Sequence, residues 1–130
     1  MKFKQHPERR MSHIVSLPFI YIMFIPILLL DITMEIYHRI TFPLYGLNYV
    51  DRSKFIQLDR HKLSYLTLIQ KINCAYCGYA NGLAAYFVAV AGETEKYWCG
   101  IKHEHIKRPH HKEFLDYGDK KSYKEFIRRK

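Results

Sequence analysis

The sequence predicts a mainly α-helical, membrane-anchored protein whose small second domain is a helical hairpin stapled by a metal ion. Three observations carry this fold class. A run without charge occupies residues 14–30. Apolar residues recur at helical spacing on both sides of a tight Cys-x-x-Cys pair, Cys74 and Cys77. A Cys-x-x-x-His pattern, Cys99 and His103, begins 22 positions after Cys77, and the two pairs together supply the four ligands that a tetrahedral zinc or iron site needs. On this reading residues 1–13 are a basic arm, 14–46 an anchor and interfacial helix, and 47–130 a small metal-binding domain with a basic tail.

The anchor comes first. Its 17 uncharged residues span about 25 Å as a helix, a little short of the roughly 30 Å hydrocarbon core, and the flanking residues 12–13 and 31–33 extend it. A cleaved signal peptide is the competing reading, because Lys2, Lys4, Arg9 and Arg10 form a basic leader; no small-x-small cleavage site follows Leu30. Pro18 is expected in the first turn, where proline is tolerated, and Pro26 is expected to kink the helix. Beyond Leu30, Ile32, Ile36, Tyr37 and Ile40 form an apolar face, while Asp31, Glu35 and His38 share a solvated or headgroup-facing stripe. Pro43 and Gly46 end this helix, with Phe42, Tyr45 and Tyr49 as interfacial aromatics. Residues 50–58 read as a short strand or an irregular connection.

Asp59 is the expected N-cap of a helix through residue 72, with Leu63, Leu66 and Ile69 at helical spacing. The cysteine turn follows, and Asn81 caps a second helix with Leu83, Phe87, Val90, Thr94, Tyr97 and Ile101 on one stripe. Ala84, Ala85, Ala89, Ala91 and Gly92 keep another face small enough for a close neighbour. After Pro109 come two short amphipathic pieces, residues 110–117 closed by Gly118, and 119–129.

In the expected centre, Cys74 and Cys77 point inward from one turn and Gly78 frees backbone amides to donate to sulfur, while Cys99 and His103 share a helix face at i and i+4. An odd cysteine count rules out a complete disulfide framework and favours thiolate ligands. Zinc is the expected ion, iron the alternative. Two competing readings are a Cys74–Cys77 redox pair, which needs a strand before the first cysteine, and three cysteines packed as small hydrophobes. Glu35 and His38 match half of a carboxylate di-iron motif, but no second copy exists. His105, His110 and His111 read as surface residues of a basic tail, or as substitutes for His103.

The stretch Cys74-Ala-Tyr-Cys77-Gly78-Tyr79 resembles the first knuckle of rubredoxin, where iron sits among four thiolates; a second such knuckle is lacking here. A broader resemblance runs through Lys71-Ile-Asn-Cys74, Tyr76-Cys-Gly-Tyr79, Asn81-Gly-Leu83, Thr94-Glu95, Tyr97-Trp-Cys99 and Ile101-Lys-His103. These words look like those of a group of small bacterial membrane-associated proteins, whose usual member has proline in place of Gly100. The resemblance implies a bacterial cell membrane and a shared Cys/His site, and no activity.

A net charge of +9 excludes an acidic scaffold and raises two partners, nucleic acid and an anionic membrane surface. The basic tail, with Lys107, Arg108, Lys112, Lys120, Lys121, Lys124, Arg128, Arg129 and Lys130, is interleaved with Phe114, Tyr117, Tyr123 and Phe126. Beside a hydrophobic anchor, an anionic lipid surface is the expected partner and nucleic acid is disfavoured. Four basic residues in the first 13 against three in 31–54 would send the domain outside if the anchor spans, whereas reduced thiols favour the cytoplasmic side. A re-entrant anchor kinked at Pro26 reconciles the two. The chain has no phosphate loop, nucleophile elbow or His-Glu-x-x-His motif, so the expected role is non-catalytic binding or assembly with a membrane-protein partner around a structural zinc; the alternative is a membrane-associated redox protein.

Overall fold

The computed structural model describes residues 10–129, so the arm up to residue 9 and the final lysine lie outside the described residues. Four α-helices follow in order, α1 (Arg10–Ile22), α2 (Phe24–Tyr45), α3 (Leu68–Trp98) and α4 (Lys120–Arg128), with short 3-10 turns at Arg52–Lys54, Arg60–Lys62 and Pro109–Glu113. Among the described residues the only β interaction is an isolated parallel bridge between Ile101 and Leu115. Residues 50–58 take the irregular course. The chain divides into two compact units after Tyr37.

In the first unit, Pro26 sets the path. Its ring meets the carbonyl of Ile22 four residues back and has no N–H to offer it. α1 accordingly ends at Ile22 and α2 begins at Phe24, with the Ile27 amide reaching the Met23 carbonyl at 3.2 Å as the ladder restarts. Pro18 departs from expectation: because α1 begins at Arg10, it sits in the helix interior and not in a first turn. Hydroxyls fold back onto their own helix, Ser16 Oγ on the His13 carbonyl at 2.8 Å and Thr33 Oγ1 on those of Leu29 and Leu30 at 3.0 Å. Such back-bonding satisfies the hydroxyls without solvent. The run Met11–Tyr45 is long and apolar enough to cross a membrane, and its most apolar stretch is entirely uncovered.

Residues 38–45 finish α2 inside the second unit. Gly46, at φ 66°, closes the helix: the Leu47 amide reaches the Phe42 carbonyl at 2.9 Å and the Gly46 amide the Pro43 carbonyl at 3.2 Å. Pro43 leaves the Arg39 carbonyl without a helical donor, and the Tyr49 hydroxyl reaches it at 3.4 Å. The polar stripe is not solvated as expected. His38 is only 3% exposed, its Nε2 accepting from the Val50 amide at 3.0 Å and its Nδ1 facing the Tyr86 hydroxyl at 2.8 Å. Asp31 is also buried, while Ile32, Ile36 and Ile40 are exposed. Phe42, expected at a membrane interface, is fully buried with its ring against His38.

The expected helical hairpin is replaced by one continuous helix. Thr67 starts α3 with a reciprocal cap, Thr67 Oγ1 accepting from the Gln70 amide and Gln70 Oε1 from the Thr67 amide. Asp59 heads only the short turn Arg60–Lys62 and makes no side-chain cap bond. Nothing breaks α3 near the cysteines: Asn81, expected to cap a second helix, donates from Nδ2 to the Cys77 carbonyl at 2.8 Å, a bond made from within a helix. The core stripe of α3 is Leu83, Tyr86 and Val90, all buried, with the Tyr86 ring against His38 of α2; Phe87 of the expected stripe is exposed. Gly82 completes that face, since a Cβ there would lie 2.6 Å from the Phe55 carbonyl and 3.0 Å from Ile56 Cα.

α4 is a short basic helix capped by Asp119, whose Oδ1 accepts from the Ser122 amide at 3.1 Å and whose Oδ2 accepts from the Ser122 hydroxyl at 2.6 Å. Tyr123 and Phe126 are half-buried, and the Phe126 ring lies beside Gly100. The aromatic face of the tail therefore serves the domain itself.

Two outcomes follow from this packing. Alanine is the better helix former by about 1 kcal/mol, yet Gly82→Ala forces backbone apart and should lower stability by about 1–2 kcal/mol net in denaturant melts. Gly78→Ala, whose Cβ would meet nothing nearer than 3.6 Å, should be neutral or stabilising. Equal melts for the two would refute the close approach. For Asp119, the Ser122 hydrogen bonds hold the carboxyl below the ordinary range. A depressed folded pKa means the cap is complete above the unfolded value of about 3.9 and is lost as pH falls through the lower folded value. The Ser122 amide shift should titrate with a midpoint below that of a free aspartate, and Asp119→Asn should flatten the titration.

Candidate metal centre

Glu95 lies in the last turn of α3, where the chain reverses. The Cys99 and Gly100 amides both donate to the Glu95 carbonyl, at 2.8 and 2.9 Å, and Gly100 takes φ 60°. Proline, held near φ −65°, could not take this place. The return path is pinned by the Ile101–Leu115 bridge, with the Leu115 amide on the Gly100 carbonyl at 2.7 Å and the Lys102 amide on the Leu115 carbonyl at 2.8 Å. Arg108 is extended, as a residue before proline must be, and Pro109 opens the 3-10 turn that carries His110 and His111. An ion pair between Lys96 and Glu113 ties that turn to α3. Gly92 lets it come close, since a Cβ there would lie 3.0 Å from the His110 ring.

Three imidazoles consequently converge on one carboxylate. His110 Nε2 lies 3.3 Å from Glu95 Oε2, His111 Nε2 lies 3.3 Å from Oε1 and 3.4 Å from Oε2, and His103 Nε2 lies 3.9 Å from Oε1. Two ligand atoms about 2.0–2.1 Å from one tetrahedral ion stand about 3.3–3.4 Å apart. A charge-assisted hydrogen bond draws nitrogen and oxygen to about 2.7–2.9 Å. The observed 3.3–3.4 Å fits two ligands of one ion and also the long end of a hydrogen bond. Glu95, His110 and His111 offer ligand atoms all within 4.8 Å of one another.

Burial separates the members. The His111 side chain is 4% exposed, His110 18%, Glu95 34% and His103 48%. Phe114 stacks on His111 with ring centroids 4.5 Å apart and walls the inner side. Nδ1 of both His110 and His111 is buried with no hydrogen-bond partner among the described residues. Burial pushes the Glu95 carboxyl up, and its hydrogen bonds with His110 and His111 outweigh this, holding it below the ordinary range. It is an anion facing three Nε2 atoms, and carboxylate with imidazole suits zinc or iron(II) with positions left open.

The four residues expected to bind metal are not brought together. Cys74 and Cys77 lie within α3 and Cys99 caps its end, so the 22 positions from Cys77 to Cys99 put about 33 Å of helix between them. All three are free cysteines, Cys77 and Cys99 exposed and Cys74 half-buried. Cys74 also lies in the second turn of α3, beyond the unpaired amides of a helix N-terminus. Of the expected set only His103 stands at the cluster. His110 and His111, expected as surface residues of the tail or as substitutes for His103, are its inner members, and Glu95 has no place in the expected set. The available signal was Pro109 placing two adjacent histidines on a turn. Glu35 and His38 form no ion site, since both nitrogens of His38 are engaged.

No protein-family model, no curated protein and no solved structure matches this chain.

Proposed function

We propose that this chain is a membrane-anchored metal-binding protein in which Glu95, His110 and His111 hold one zinc or iron ion with His103 beside it, and that it serves a binding or assembly role at the membrane. The observation that carries the reading is the convergence of the His110 and His111 Nε2 atoms on Glu95, with ligand atoms of all three within 4.8 Å of one another. Residues 14–30 supply the anchor, supported by the exposed apolar run Met11–Tyr45. The basic residues of α4 meet anionic lipid, and the second unit lies on the cytoplasmic side, where three free thiols stay reduced. A membrane protein is the partner this placement fits.

Full-length protein purified in detergent should carry about one zinc or iron per chain. Glu95→Gln, His110→Ala and His111→Ala should each weaken binding at least tenfold, while Cys74→Ser, Cys77→Ser and Cys99→Ser leave it unchanged. Ligation competes with protons for the imidazoles and the carboxylate, so affinity should fall as the solution is acidified. Metal lost from the serine variants and kept by Glu95→Gln would return the site to the cysteines. Separately, alkaline carbonate should leave the full chain in the membrane pellet, and deleting residues 1–34 should release it; recovery of the full chain in the supernatant would remove the anchor.

A further inference from the structure

A cavity of about 380 Å³ opens beside the cluster and is lined by His103 and His111, two of its imidazoles. Its charged walls are Lys102, Lys107, Arg108 and Lys112, against Glu104 and Asp116. Asp116 is neutralised by Lys102 at 2.7 Å, and Glu104 has His105 at 3.5 Å. Lys107, Arg108 and Lys112 form no ion pair among the described residues. Lys107, Arg108 and Lys112, against the single carboxylate of Glu104, thus line the cavity into which His103 and His111 of the cluster face.

Resting on the metal reading above, we infer that this cavity binds a phosphate monoester, with one phosphate oxygen at the metal's open position and the others facing Lys107, Arg108 and Lys112. The chemistry selects phosphate over a simple carboxylate. A phosphate monoester carries about −1.5 to −2 charge and several strong acceptor oxygens, so it answers a metal and a guanidinium fork together. The cavity exceeds what a bare phosphate fills, and Ile106 and Tyr117 line it beyond the cations, leaving room for the organic part of the ester. A soluble phosphate monoester and a phosphatidic acid headgroup present the same group.

The test uses the full-length protein in detergent without phosphate buffer, loaded with Co²⁺ as a visible reporter of coordination. Titration with inorganic phosphate should change the cobalt d–d bands saturably while cobalt stays bound. Lys107→Ala/Arg108→Ala should keep cobalt at the parent stoichiometry and lose phosphate affinity at least about tenfold. Vesicles of phosphatidylcholine with and without phosphatidic acid separate the sources. Displacement of phosphate only by the phosphatidic acid vesicles assigns a lipid headgroup, and indifference to both assigns a soluble ester. Stoichiometric cobalt whose spectrum ignores millimolar phosphate, or a double variant that binds phosphate like the parent, overturns this inference and leaves the metal reading standing. A protein that takes up no cobalt overturns both.

Discussion

The unbroken length of α3 is the constraint on which the second unit depends. A reciprocal cap at Thr67 starts the helix, and for 31 residues no proline interrupts it, so it stops only where Gly100 takes a positive φ. A rod of about 46 Å fixes the distance between everything it carries. The cysteine pair belongs to its first half and Glu95 to its last turn. No ion bridges the two within one chain. The reversal at Gly100 decides what Glu95 meets, because the chain returns along α3 and delivers His103 and then His110 and His111 to its end.

His38 is the complementary anchor point. A buried imidazole with both nitrogens engaged joins the end of α2, the chain at Val50 and the middle of α3 through Tyr86. Around it Phe42, Leu83, Tyr86 and Val90 make a small apolar core. A polar group at such a centre does not add much net stability, since folding exchanges its water bonds for protein bonds. It does specify register, because a one-residue shift of α2 would leave two ring nitrogens, an amide and a hydroxyl unpaired in the interior. On α2 the buried face carries Asp31, Met34, His38 and Phe42, while Ile32, Ile36 and Ile40 are turned outward.

Much of the helical content was legible because its signals are local. The uncharged run, the break at Pro26, the stop at Gly46 and the cap at Asp119 all depend on residues within a turn of one another. The continuity of α3 was not legible, because the Cys74–Cys77 pair suggests a turn and Asn81 a helix cap, whereas both lie inside the helix and Asn81 bonds back to the Cys77 carbonyl. Thr67 and Gln70 carried the true start, and Asp59 drew attention from them by its type. The site failed for a different reason. Cys-x-x-Cys is a sequence-local pattern that suggests a turn, while Glu95, His103, His110 and His111 come together only through a reversal at Gly100 and a 3-10 turn at Pro109.

The change of donor set alters the chemistry, and not only the address, of the site. Three thiolates and an imidazole would close the coordination sphere of zinc and make the ion a staple. A carboxylate with two inner imidazoles would leave a position open at a bound ion, and His103, the most exposed member of the cluster, lines the basic cavity. In such an arrangement His111, Phe114 and the Lys96–Glu113 pair provide rigidity from the protein side, so the ion is not needed to hold the turn in place. An ion held by such nitrogen and oxygen donors would not be needed as a staple, and it would stand beside a wall lined by Lys107, Arg108 and Lys112.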